Sequence, residues 1–228
     1  MKITDFILDL IFPNRCGFCD DFIAWDKLAC DECINQIEFT NDYIRKDFDG
    51  NFTVCISCVS YEGTAKEGLL NLKYHKGFNT AKYLLPSLVK RLENVGITPN
   101  IDLVTCIPMN SKRLDETGYN HAEVIAKILA KSLGVSHNFK ILGKNKSTNR
   151  QHDLTRAERL EAVKGSYYLK TKFPDIKGKT ILICDDIITT GATLSECSRL
   201  LLQAGAKEVY CATLGTTFLK EGSDVVST

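Results

Sequence analysis

From Thr180 to Thr193 the chain reads Thr-Ile-Leu-Ile-Cys-Asp-Asp-Ile-Ile-Thr-Thr-Gly-Ala-Thr. An apolar run of strand type, Thr180 to Cys184, ends in two carboxylates, Asp185 and Asp186, and a loop of Thr, Gly and Ala then enters a helical pattern over Thr193 to Ala204. A helix N-terminus presents unpaired backbone N–H groups and the positive end of its dipole, and so attracts anions. Gly191 lets the backbone approach such an anion closely, and Thr189, Thr190 and Thr193 add hydroxyl donors. Two acids beside a phosphate cradle would repel the ligand unless they served another part of it. Sugar hydroxyls, which donate to carboxylates, are their natural partners. A capped helix after a strand explains either half of the motif alone. The two joined in this order, at the strand end where α/β sheets bind ligands, argue for a phosphorylated sugar.

Cys16-Gly-Phe-Cys19 and Cys30-Asp-Glu-Cys33 are two Cys-x-x-Cys knuckles ten residues apart. Each can place two thiolates on one ion, and together they complete a closed tetrahedral zinc site with no open position for catalysis. So polar a segment lacks the apolar mass to fold alone, so the metal supplies folding energy. A third pair, Cys55-Ile-Ser-Cys58, lies in the strand-like run Val54 to Val59. Residues three apart in a strand point to opposite faces, so these two are expected in the core and not on a metal. Cys106, Cys184, Cys197 and Cys211 read as small buried hydrophobes.

These groups need a frame. The 228 residues are 44% hydrophobic and 25% charged, ordinary values for a globular protein of one medium domain and a small module. Ile3, Phe6, Ile7, Leu10 and Ile11 recur at helical spacing before Pro13. A short helix packed on the protein is favoured over a membrane-surface anchor, because only Lys2 there is basic. A strand is expected over Phe52 to Tyr61, helix mainly over 64 to 93, a strand from Ile101 to Ile107, a helix from His121 to Leu133 stopped by Gly134, and a strand from Val209 to Leu214. Residues 143 to 160 lack an apolar period and read as a long functional loop. Alternating strands and helices predict an α/β fold with a mostly parallel sheet covered by helices on both faces. The expected divisions are an N-terminal helix and zinc module over 1 to 50, the α/β domain over 51 to 218, and a frayed tail over 219 to 228. No apolar run approaches the length of a membrane span and no secretory signal is seen, so paired cysteines point to metal in a reducing cytoplasm.

The segment around Asp185 resembles the signature of type I phosphoribosyltransferases, which bind 5-phosphoribosyl pyrophosphate (PRPP). The resemblance implies that Thr189, Thr190, Gly191, Ala192 and Thr193 hold the 5-phosphate and that Asp185 and Asp186 hold the ribose hydroxyls and carry any catalysis. It also implies a Mg²⁺ ion bridging ribose and pyrophosphate oxygens. The run Cys106-Ile-Pro108-Met-Asn-Ser-Lys112-Arg113 resembles the pyrophosphate loop, with Lys112 and Arg113 as its cations. Over nearly its whole length the chain is similar to the ComF (ComFC) family, in which a zinc ribbon precedes a phosphoribosyltransferase domain. The matching pieces are Phe12 to Cys19, Tyr61-Glu-Gly63, Leu72-Lys-Tyr-His-Lys-Gly77, Gly118-Tyr-Asn120, Thr148, Gln151, Leu154, Arg159 and the phosphate loop. It departs from the family at Thr117, where Arg is usual, at His121 in place of Gln, and at Ala162 in place of Asn. Residues 34 to 53 also lack the cysteines of a second ribbon.

The family resemblance implies a part in handling incoming single-stranded DNA during natural transformation, with other competence proteins as partners. A base-salvage phosphoribosyltransferase and a PRPP-sensing scaffold without turnover stay open beside it; nothing in the sequence names an acceptor base. Net charge is +1, but residues 1 to 60 carry 5 basic and 11 acidic side chains and the remainder 24 basic and 17 acidic. A DNA contact is therefore expected on the body, where Lys144, Lys146, Arg150 and Arg156 gather, with Tyr167 and Tyr168 as stacking surface or strand core. The same loop could instead only cover PRPP.

Overall fold

The computed structural model describes residues 13–39, 44–45, 51–75, 77–145 and 163–217. The expected helix over 3 to 11 and the tail from 219 lie outside these residues, as do Lys146, Arg150 and Arg156 and the matching positions Thr148, Gln151, Leu154 and Arg159. In chain order the elements are α1 (Asp31–Gln36), β1 (Ile44–Arg45), β2 (Val54–Ser60), α2 (Gly63–Tyr74), α3 (Phe78–Asn94), β3 (Leu103–Cys106), α4 (Ser111–Thr117), α5 (His121–Leu133), β4 (Ser136–His137), β5 (Leu142–Lys144), β6 (Tyr167–Leu169), β7 (Thr180–Ile188), α6 (Ala192–Gln203) and β8 (Glu208–Thr216).

The main sheet has the order β1-β2-β8-β7-β3-β4, parallel throughout except for the antiparallel edge strand β1. A mostly parallel sheet with helices on both sides is the expected α/β class. Its central strands β7 and β8 are buried on both faces, which is why they read as continuous apolar runs without alternation. One face carries Ile56, Cys58, Leu182 and Cys184 against Leu72, Leu84, Leu88, Ile125 and Leu129 of α2, α3 and α5. The other carries Cys55, Ile181, Ile183 and Cys211 against Leu194, Cys197 and Leu201 of α6. Cys55 and Cys58 thus fall on opposite faces, both fully buried, as strand geometry requires.

Two boundaries differ from expectation. The helical stretch after residue 63 is two helices, because at its end the N–H groups of His75 and Gly77 both donate to the Asn71 carbonyl and turn the chain. β7 does not stop at Cys184: pairing with β8 continues to Ile188↔Thr216, so Asp185 and Asp186 lie inside the strand. A small antiparallel sheet of β5 and β6 packs beside α6 and brings Tyr168 across Gly143. Among the described residues no helix is long and apolar enough to cross a membrane.

Candidate functional site

The recess at the C-terminal end of β7 is lined by Asp185, Ile187, Ile188, Thr189, Thr190, Gly191, Ala192, Thr193 and Leu194. It encloses ≈ 250 Å³, counting space open to solvent. Gly191 forms the turn with φ 82° and ψ −5°, a left-handed conformation that costs any residue with a Cβ about 1–2 kcal/mol. The first residues of α6, which carry its backbone N–H groups left unpaired within the helix, line the recess. One of them, Ala192 N–H, donates to Thr190 Oγ1 at 3.3 Å, so the loop's hydroxyl already stands where an acceptor is wanted.

The acid pair is asymmetric. Asp185 lines the recess, whereas Asp186 is 5% exposed and turned toward α2 and α5. Its Oδ2 lies 2.9 Å from Lys73 Nζ and 3.2 Å from His121 Nε2. Both are ion-pair contacts on one buried carboxylate oxygen. Burial, and then the neighbouring charge of Asp186, push the Asp185 carboxyl well above the usual range. Burial also works to raise Asp186, but the charges of Lys73 and His121 outweigh it and hold that carboxyl low. Lys73 in turn stays charged despite its burial, because Asp186 and then Asp185 favour the ammonium.

His121, Asp185 and Asp186 bring one ligand atom each within 4.8 Å of one another. Of these three donors the two carboxylates suit a hard, oxygen-seeking divalent cation such as Mg²⁺, whereas the imidazole does not.

The expected pyrophosphate loop leaves β3 beside this site, because Cys106 pairs with Cys184 across the sheet. Asn120 holds it: its side-chain amide donates to the Ile107 carbonyl at 3.0 Å, while its oxygen caps α5 at Ala122 N–H. Pro108 follows, half-buried, and the Asn110 oxygen accepts from Arg113 N–H to start α4. Lys112 is exposed; Arg113 stacks on Tyr74 with its guanidinium carbon 5.6 Å from the ring centroid. Thr117 donates to the Arg113 and Tyr119 carbonyls and closes the same turn. Lys144 belongs to β5 and sits 5.0 Å over the Tyr167 ring; Tyr167 is buried and Tyr168 exposed.

The sequence pattern gives neither Lys73 nor His121 a role in the site. The available signal is Lys73 itself, a lysine immediately after Leu72 and four residues beyond Leu69, where the helix turns its apolar side to the core.

The second centre lies on the far side of α2. The Sγ atoms of Cys16, Cys19, Cys30 and Cys33 all fall within 4.8 Å of one another, with Cys19 and Cys30 at 3.7 Å. A tetrahedron with Zn–S bonds of about 2.3 Å has an edge of about 3.8 Å, so the four thiolates fit a structural zinc ion. Burial opposes the Cys16 thiolate, but the N–H groups of Cys19, Cys30 and Phe18 bring its thiol down to about 7. The knuckle is built into the body. Phe18 is fully buried edge-on to Tyr83, its carbonyl accepts from Asn71 Nδ2 at 2.7 Å, and the Gly17 carbonyl accepts from Thr80 Oγ1. A Cβ on Gly17 would lie 2.4 Å from Thr80 N, so only glycine permits this approach.

Residues 119–218 match the family model of the phosphoribosyl transferase domain, and residues 7–44 that of the double zinc ribbon domain. Of the two ribbons in that model, this chain has cysteines for one. Competence protein F of Haemophilus influenzae is 29% identical over 201 residues, covering 87% of this chain and 82% of that protein. DNA utilization protein YhgH of Escherichia coli is 27% identical over 205 residues, covering 86% and 88%. The match to YhgH of Salmonella typhi, 29% identical over 133 residues, spans 58% of this chain and 57% of that relative. Among solved structures, a purine phosphoribosyltransferase from Pyrococcus horikoshii is similar at 17% identity and a TM-score of 0.39, over 60% of this chain and 72% of that one. A phosphoribosylpyrophosphate synthetase from Mycobacterium smegmatis is similar at 21% identity and a TM-score of 0.38, over 61% and 34%. The chain thus carries a zinc-ribbon match followed by a phosphoribosyl transferase domain match, and it is similar along most of its length to a competence protein and a DNA-utilization protein.

Proposed function

We propose that this protein binds PRPP with Mg²⁺ in the β7–α6 recess and works in the cytoplasm on single-stranded DNA entering the cell. The observation that carries the ligand is the recess itself: Asp185 at its edge, the left-handed turn at Gly191 and the α6 N-terminus make one polar pocket for a phosphate joined to a hydroxyl-bearing group. In this reading Thr189 to Thr193 take the 5-phosphate, Asp185 and Asp186 serve the ribose, and Pro108, Lys112 and Arg113 face the pyrophosphate. The zinc module over 1 to 50 is a structural prop on the α/β domain over 51 to 218. The DNA role rests on the names of the relatives, Competence protein F and DNA utilization protein.

Calorimetry with PRPP, with and without Mg²⁺, tests the ligand. Asp185→Ala with Asp186→Ala should cost about 1.5–3 kcal/mol for each charged hydrogen bond removed. Unchanged affinity in that double variant would refute the site. Incubation with PRPP and a panel of bases separates a binding protein from a transferase, and a transformation assay on a deletion strain tests the DNA role.

A further inference from the structure

The proposed ligand poses an electrostatic problem that Lys73 solves. PRPP is strongly anionic, yet Asp185 lines the recess and a second acid, Asp186, stands directly behind it in β7. Left uncompensated in a partly dry site, negative charge on this acid pair repels such a ligand over several ångströms. Helix α2 delivers one cation to this spot. The Lys73 ammonium is 2.9 Å from Asp186 Oδ2, and its side chain is 19% exposed. The other lysine of α2, Lys66, lies over Tyr61 at 5.9 Å instead. From the opposite side His121 Nε2 approaches the same oxygen, so Asp186 is held between α2 and α5 while Asp185 meets the recess.

We propose that Lys73 is a positioning residue for this site: it neutralises one acid of the pair and fixes Asp186 against α2, so that an anionic sugar phosphate can approach Asp185. The proposal rests on the PRPP reading. It adds that the two acids are not equivalent, and that the compensating charge comes from α2 and not from the phosphate loop. Lys73 touches the acid and not the reacting atoms, so its effect is on affinity and its ionic-strength dependence.

The test is the affinity of the full-length, zinc-loaded protein for Mg²⁺–PRPP by calorimetry at two salt concentrations, with thermal melting of each variant to confirm folding. Lys73→Met should weaken binding about tenfold or more, and the loss should shrink at high salt, where the unbalanced acid is screened. Lys73→Arg should bind near wild type. Wild-type affinity in Lys73→Met, or a loss that is equal at the two salt concentrations, overturns the proposal and leaves the PRPP reading standing. Failure of the wild-type protein to bind PRPP overturns both.

Discussion

Cys30 and Cys55 are both cysteines of Cys-x-x-Cys pairs, yet their surroundings give them opposite roles. Cys30 lies 3.7 Å from the Cys19 sulfur in a cluster of four. Cys55 is fully buried among Leu, Ile and Val on one face of β2, with Cys58 on the other. Purified protein should therefore carry one zinc per chain. Cys30→Ser should lose it, while Cys55→Ser and Cys58→Ser keep it; a second zinc, or loss of metal in Cys55→Ser, would contradict the assignment. This distinction is legible in the sequence because spacing and strand period suffice to draw it. The Lys73–Asp186–His121 contact is not. It joins residues 48 and 113 positions apart in α2, α5 and β7, and no local pattern encodes which helix faces a strand end. The strand, acid pair, glycine turn and helix start at 180–193 are legible because all their parts are contiguous.

Helix α2 joins the two centres. Within two residues it donates from Asn71 to the zinc knuckle at Phe18 and reaches from Lys73 to Asp186. The hydroxyl of Tyr119, next to the loop-holding Asn120, donates to the Leu72 carbonyl between them. Asn71→Ala removes a bond to the carbonyl of the buried Phe18 and should cost about 1–2 kcal/mol of stability by urea denaturation, with zinc retained. At the other end of the site, Gly191→Ala forces a Cβ into the left-handed turn and should cost about 1–2 kcal/mol. It should also weaken PRPP binding, because relief of that strain moves the N–H groups of α6. Proteins of equal stability to wild type in both variants would remove α2 and the Gly191 turn as supports of the site. The elements themselves follow from periodicity, as α5 with its Gly134 stop shows. The length of β7 does not, since the acids inside it are kept in the strand by pairing with β8, a partner distant in sequence.

Across the whole molecule the charges separate. Residues 1 to 60 sum to −6 and the rest to +7, so a nucleic-acid strand is repelled by the zinc module and attracted to the body. The zinc module does expose Phe22 and Trp25, 67% and 65% accessible, and offers them as stacking surface, although the Arg15 guanidinium already lies 4.3 Å over one face of Phe22. They stand among Asp20, Asp21, Asp26, Asp31 and Glu32, with Lys27 already paired to Asp31. Stacking is worth about 1–3 kcal/mol per base, but here each base would bring its phosphate into an acidic field. On the body, Lys144 over Tyr167 marks the described edge of a segment that continues through Lys146, Arg150 and Arg156. If the protein binds single-stranded DNA there, Lys144→Glu, Lys146→Glu and Arg150→Glu together should weaken it and lower the slope of log affinity against log salt by about 2, since each neutralised phosphate contributes about 0.7. The measurement is anisotropy of a labelled oligonucleotide at several salt concentrations. Deleting the zinc module is a poor control, because Phe18 belongs to the core shared with α2 and α3. Phe22→Ala with Trp25→Ala tests the other surface without opening that core. Normal binding by the triple variant, together with weakened binding by the double, would make the zinc module the reader and show that aromatic stacking outweighs the charge separation.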